Sequence, residues 1–229
     1  MAQINAVIFD LDNVLYDERQ YINNAFKNIA DFLSKKSHYT EEEIQYKLRD
    51  HLNRKGTMYS RLFNDVLSEL GLKQTLLHEI LGLYASVNMP LNLYPEAKQV
   101  LIDLKNAGLK LALLTNGLVQ VQKNKIRLLD LQGLFDVIVY AREVSSLEKP
   151  NPELYKFICN KLSLEFKRTL CLGDNPYTDF WGANRLGIHT ARLMLGEFRT
   201  VRLSQDYEAE HNMDRLEDIK KIIQFNTFI

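Results

Sequence analysis

Apolar residues fall into two patterns along the chain of 229 residues. The first is a short, nearly unbroken apolar run. It recurs at residues 4–9 (Ile-Asn-Ala-Val-Ile-Phe), Leu109–Leu114, Val137–Tyr140, Thr169–Leu172 and His189–Leu193. Their length and β-branching favour strands. Their lack of alternation fits strands buried on both faces, as in a parallel sheet. The second pattern has helical spacing. Pro95 begins one segment, with Ala97, Val100, Leu101, Leu104 and Ala107 on a face and Gly108 as its stop. Asn151-Pro152 begins another: Asn caps, Pro takes the first helical position, and Leu154, Phe157, Ile158 and Leu162 supply the stripe. A third helix is expected after Pro176, ending near Gly187. A closing one is expected over Asp214–Phe225, with Leu216, Ile219, Ile222 and Ile223 on one side. Alternating strands and helices predict an α/β architecture with right-handed crossovers.

One stretch breaks the alternation. Between Leu15 and Leu93 no convincing strand occurs, and the pattern reads as helices near 18–36, 40–53, 58–70 and 74–88. Thr40 followed by Glu43 forms a capping box for the second, and Gly71 ends the third. The expected organisation is a small all-helical domain over 16–92, inserted into an α/β core made of 1–15 and 93–229.

Composition narrows the picture modestly. Hydrophobic residues make up 46% and charged residues 25%, as in ordinary globular proteins. Twenty-nine basic residues balance 29 acidic ones, so no global basic excess points to nucleic acid. No apolar run approaches the ~18 residues of a membrane span. The first apolar stretch is too short for a signal peptide and runs straight into acidic residues. Cys159 and Cys171 sit in apolar surroundings and read as buried, reduced thiols. The expectation is a cytoplasmic protein, monomer or homodimer, with neither nucleic acid nor membrane as partner.

Candidate chemistry lies at the strand ends, because ligands of open α/β sheets bind there. Asp10 and Asp12 follow the first run, Thr115, Asn116 and Gly117 the second, and Gly173, Asp174 and Asp179 the fourth. Lys149 lies on the connection leaving the third. Carboxylate oxygens suit a hard cation such as Mg²⁺, and a lysine with a threonine hydroxyl suits phosphate oxygens. The chain has no Cys/His zinc cluster, no Gly-rich phosphate loop ending in Lys-Ser or Lys-Thr, and no Gly-x-Ser-x-Gly elbow. His38, His51, His78, His189 and His211 are scattered without metal-ligand spacing; His51 is a weak candidate contact in the helical domain.

Four motifs in order make a more specific statement: Asp10-Leu-Asp-Asn-Val-Leu-Tyr-Asp17, Leu113-Leu-Thr-Asn-Gly117, Lys149-Pro150 and Gly173-Asp-Asn-Pro-Tyr-Thr-Asp179. An Asp-x-Asp triplet alone is common, Asn-Gly is an ordinary turn, and Asp179 alone reads as a surface acid in a first helical turn. In this order, each at a strand end, they resemble the haloacid dehalogenase superfamily over nearly the whole chain. The branch resembled is the phosphatases with a helical cap inserted after the first strand. The resemblance implies a Rossmann-like parallel sheet flanked by helices, with a small all-helical cap domain. It also implies a magnesium-dependent phosphomonoester hydrolase acting on a small phosphorylated metabolite (a sugar phosphate or nucleoside monophosphate) through an aspartyl-phosphate.

In that reading Asp10 is the nucleophile and Asp12 the acid/base. Thr115, the Asn116 amide and Lys149 hold phosphate. Asp10, Asp174 and the carbonyl of Asp12 hold Mg²⁺, and Asp179 orients Lys149 or binds a metal-bound water. Asp12 itself argues against a halide leaving group, which needs no proton. A phosphomutase on the same fold, or a non-catalytic module binding a phospho-ligand or partner, is the alternative. Asn13 stands where Gly is frequent, and Val14 where Thr is common. Candidate substrate contacts in the cap are Arg54 and Lys55, in a polar cluster with Gly56, Thr57, Tyr59 and Arg61 expected to face the site. Tyr16, with Asp17, Glu18 and Arg19, is the alternative set.

Overall fold

Ala6, Val7, Ile8 and Phe9 are all buried, so their strand needs cover on both faces. In the computed structural model, which describes residues 3–144 and 147–223, they form β1 (Ala6–Phe9) in the middle of a six-stranded sheet. The other strands are β2 (Lys110–Thr115), β3 (Val137–Tyr140), β4 (Thr169–Gly173), β5 (His189–Leu193) and β6 (His211–Met213). Their order is β3-β2-β1-β4-β5-β6, and every pairing is parallel. This is a Rossmann-like α/β sheet. Three ends differ from expectation: β1 starts at Ala6, β2 lies one residue later and includes Thr115, and β4 continues through Gly173. β6 was not expected, because His211-Asn212-Met213 has no apolar run to announce it.

The chain divides into two compact units: Glu18–Leu91, and the rest of the described chain. The first contains α1 (Arg19–Ser34), α2 (Glu41–Lys55), α3 (Leu62–Glu69) and α4 (Leu77–Ala85), with a 3-10 turn, Gln74–Leu76, before the last. Its own core is built from residues such as Phe26, Ile29, Leu33, Leu48, Leu67 and Ile80. The capping box forms as expected: Glu43 N donates to Thr40 Oγ1 at 3.3 Å and Thr40 N to Glu43 Oε2 at 2.8 Å. The helix expected over 58–70 is shorter. Gly56 ends α2 at a φ of 79°, and the residues between it and Leu62 form a turn.

The second unit carries α5 (Ala97–Asn106), α6 (Val119–Leu128), α7 (Pro152–Leu162), α8 (Trp181–Asn184) and α9 (Ile219–Ile223). Asn151 caps α7 as expected, accepting from Glu153 N at 3.0 Å. Helix α6 has no counterpart in the sequence reading, because its buried face mixes Val121 and Ile126 with Gln122, Asn124 and Lys125. Helix α8 is much shorter than the segment expected after Pro176. Asn175 and Asp179 turn their side chains onto backbone amides there, which holds the chain in a turn until Trp181. The closing segment is a 3-10 turn, Leu216–Asp218, followed by α9; Phe225 lies outside the described residues. Both cysteines are buried free thiols. No helix among the described residues is long and apolar enough to cross a membrane.

Candidate active site

Sheet register decides which strand-end residues meet. Phe9 pairs with Leu113 on one side and Leu172 on the other. Asp10 follows Phe9, Thr115 stands two residues past Leu113, and Asp174 two past Leu172. The sheet runs to β2 and β3 on one side of β1 and to β4, β5 and β6 on the other. The crevice of a doubly wound sheet opens at such a reversal.

The centre of the cluster is a buried ammonium. Lys149 Nζ lies 2.8 Å from Asp10 Oδ1 and 2.8 Å from Asp179 Oδ1. A buried lysine survives only with such partners, because desolvating an unpaired charge costs several kcal/mol. Asp179 is held firmly in turn. Its Oδ2 accepts from Asp174 N at 3.1 Å and Asn175 N at 2.9 Å, and its Oδ1 from the Thr178 hydroxyl at 2.9 Å. The Tyr155 hydroxyl donates to its backbone carbonyl at 2.7 Å.

Asn116 positions the lysine from the other side. Its Oδ1 accepts from Lys149 N at 2.9 Å, and its Nδ2 donates to Lys149 O at 3.2 Å. Thr115 ends β2 and is buried, its hydroxyl directed to the Asn116 carbonyl at 3.3 Å. Gly173 leaves room for Asp179: a Cβ there would lie 2.2 Å from Asp179 Oδ2. The fully buried Arg192 on β5 ties the loop together, donating to Asp174 O at 3.1 Å, to Val201 O at 3.1 Å and to Phe198 O.

Burial pushes the Asp10 carboxyl up from 3.8 to about 7; Lys149 opposes the rise, while Asp179 and Asp12 add to it. Burial alone would favour neutral Lys149, but Asp10 and Asp179 outweigh it and hold the ammonium well above its ordinary range. Asp10, Asp174 and Asp179 each offer a carboxylate oxygen, and these atoms lie within 4.8 Å of one another. An all-oxygen donor set of this kind fits a hard divalent cation.

Asp12 has a separate environment. Its Oδ1 accepts from the Tyr16 hydroxyl at 2.6 Å and from Lys125 Nζ at 2.7 Å. Asn13 beside it adopts a left-handed backbone, φ 57°, which Asn tolerates better than most residues. That accounts for an Asn where Gly is frequent.

The fold thus brings Asp10, Lys149, Asp174 and Asp179 into one cluster, with Thr115 and Asn116 on the adjacent strand end and Asp12 two residues from the nucleophile candidate. Tyr16 is buried, and its hydroxyl donates to Asp12. Arg54 and Lys55 end α2 in the helical unit. Arg54 pairs with Asp50 at 2.5 Å, and the Lys55 ammonium lies 5.5 Å from the centre of the Tyr59 ring. His51 pairs with Glu69 at 2.7 Å. Sequence reasoning missed Lys125, Tyr155 and Arg192, all inside buried segments. The one available signal was Arg192, a charged residue inside the His189–Leu193 run.

A family model described as haloacid dehalogenase-like hydrolase matches residues 7–193. The chain belongs to that family. Glyceraldehyde 3-phosphate phosphatase of Methanocaldococcus jannaschii is 25% identical over 225 residues, covering 96% of this chain and 97% of its own. N-acylneuraminate-9-phosphatase of Homo sapiens is 28% identical over 203 residues, covering 82% of this chain and 81% of its own. Among solved structures, a haloacid dehalogenase-type phosphatase from Thermococcus onnurineus aligns with a TM-score of 0.68 at 24% identity, covering 96% of this chain and 98% of its own. The hydrolase YfnB from Bacillus subtilis aligns at 0.72 and 18% identity, covering 96% and 99%. These two show the shared haloacid dehalogenase fold.

The raised Asp10 carboxyl predicts a stability cost with a definite sign. The folded chain holds that proton up to about pH 7, whereas the unfolded chain releases it near 3.8. Without divalent cations, stability therefore falls as pH rises between those values. Differential scanning calorimetry of the metal-free protein should show the thermal midpoint falling between pH 4 and pH 7, and a midpoint that rises over that range would contradict the raised carboxyl. Gly173→Ala should displace Asp179 and lower stability by about 1–3 kcal/mol, read from urea denaturation.

Proposed function

We propose that this protein is a magnesium-dependent phosphomonoester hydrolase in which Asp10 attacks phosphorus and Asp12 handles the proton. One observation carries the reading: Asp10 is fixed by Lys149 at 2.8 Å within a set of three carboxylates able to hold a cation. The family supports it, as do relatives named as phosphatases.

The geometry supports the following roles. Asp10 Oδ1 is pinned by Lys149, which orients the carboxylate and leaves its other oxygen to attack. Asp10, Asp174 and the carbonyl of Asp12 would hold Mg²⁺, while Asp179 keeps Lys149 in place. A bound magnesium ion supplies positive charge that offsets the repulsion between the attacking carboxylate and the phosphate oxygens. Thr115, the Asn116 amide and Lys149 hold the phosphate oxygens. In the first step the Asp10–phosphorus bond forms, the bond to the leaving oxygen breaks, and Asp12 gives that oxygen a proton. In the second, Asp12 takes a proton from the attacking water, phosphate leaves and Asp10 is restored.

The substrate class proposed is a small phosphorylated metabolite. The relatives' names specify glyceraldehyde 3-phosphate and an N-acylneuraminate 9-phosphate. Both are sugar-like alkyl monophosphates whose leaving alkoxide needs a proton, the service Asp12 provides. Choice among esters is assigned to the helical unit, with Arg54 and Lys55 as the contacts.

Purified protein with Mg²⁺ should release phosphate from p-nitrophenyl phosphate and from members of a sugar-phosphate panel. Chelation should abolish release, and Asp10→Asn should lower kcat at least about a thousandfold. No release by the unmodified protein from any ester overturns the reading. Arg54→Ala and Lys55→Ala should change the rank order of kcat/KM across the panel; an unchanged order in both removes those residues from specificity.

A further inference from the structure

Helix α6 begins just past the Thr115-Asn116-Gly117 turn and spends its buried face on polar groups. Lys125 is the extreme case, with a side chain only 1% exposed. A leucine or methionine at that position would fill the space without desolvating a charge. The ammonium instead reaches Asp12, 113 residues away in sequence, and donates to Oδ1 at 2.7 Å. The Tyr16 hydroxyl donates to the same oxygen at 2.6 Å. Among the described residues, no hydrogen bond falls on Asp12 Oδ2. Two donors converging on one carboxylate oxygen remove the rotational freedom of the group and single out the other oxygen.

The same helix also carries the adjoining loop. Gln122, one turn before Lys125 and also buried, packs under Gly117, where a Cβ would lie 2.8 Å from its Nε2. Helix α6 therefore braces both the Thr115-Asn116-Gly117 turn and the Asp12 carboxyl. A shift of the helix would move both.

We propose that Lys125 is a positioning residue for Asp12: it pins Oδ1 so that Oδ2 alone exchanges the proton with the leaving oxygen and then with water. The role rests on the hydrolase reading above. As the phosphorus–oxygen bond of the ester breaks, the proton passes from Asp12 Oδ2 to the departing alkoxide. The carboxylate left behind faces the Lys125 ammonium. The attacking water then returns a proton to the same oxygen.

A positioning role makes a demand that simple packing does not. Proton delivery matters for an alkoxide and little for p-nitrophenolate, which is a weak base. Lys125→Met should lower kcat/KM about a hundredfold for the alkyl monophosphate that the unmodified protein turns over fastest. It should lower kcat/KM less than about tenfold for p-nitrophenyl phosphate, with KM for the alkyl ester nearly unchanged. Lys125→Arg keeps a charged donor and should recover part of the alkyl-ester rate. Equal losses on the two esters, or no loss, overturn the proposal. If circular dichroism shows Lys125→Met to be unfolded, Tyr16→Phe removes the other donor to the same oxygen without touching the buried charge. It should reproduce the split between esters, and its failure to do so likewise overturns the proposal. If the unmodified protein hydrolyses neither ester, the hydrolase reading itself fails and this role falls with it.

Discussion

The site depends on one buried ammonium. Lys149 cannot remain charged in the protein interior without the two carboxylates that meet it, Asp10 from the end of β1 and Asp179 from the turn after β4. That mutual requirement couples parts of the chain that are distant in sequence. Asp179 takes the amides of Asp174 and Asn175 and so shapes the turn bearing the third carboxylate. Asn116 grips the Lys149 backbone and so ties the β2 end to the same point. The arrangement is electrostatically costly, since three carboxylates lie close together and two of them meet the lysine, and burial pushes the Asp10 carboxyl up to about 7. Sites organised for chemistry often carry such a cost and rely on the surrounding fold to bear it.

Asp10 and Asp12 are identical residues two positions apart, and the fold makes them unlike. Asp10 meets Lys149 and the carboxylates of Asp174 and Asp179, while Asp12 meets Tyr16 and Lys125. The two lysines arrive on different crossovers, Lys149 after β3 and Lys125 after β2. Division of labour between neighbouring carboxylates is commonly set by environment, and here each environment is imported from another part of the sheet.

Much of this was legible before the structure. The five apolar runs became strands, because an unbroken Val-Ile-Phe run has few stable fates other than a buried strand. Asp10, Thr115, Lys149, Asp174 and Asp179 were legible as polar residues at strand ends. What escaped notice shares one physical cause: burial by polarity. Helix α6 hides Gln122, Asn124 and Lys125, so it shows no apolar stripe. Strand β6 is short and polar, and α8 gives up its first turns to side chains that cap the loop before it. Arg192 sits fully buried in β5, where an apolar residue would be the default. Nothing local reveals that the Tyr16 hydroxyl is claimed by Asp12. Pairings across a hundred residues leave no trace in a local pattern.

The discontinuity of the sheet unit has a consequence for the order of synthesis. Strand β1 is made well before its ladder partners, which begin at Lys110 and Thr169. At roughly 5–20 residues per second on a ribosome, its four apolar residues wait many seconds with no strand to join. The helical unit, whose core residues lie between Ile22 and Ile80, needs nothing beyond that interval to bury its own apolar faces. It can therefore fold as a finished object before β2 is made, while the Ala-Val-Ile-Phe segment is still unpaired. A sequence that places Asp10 at the tip of a strand made a hundred residues before its first partner must also protect that strand the longest.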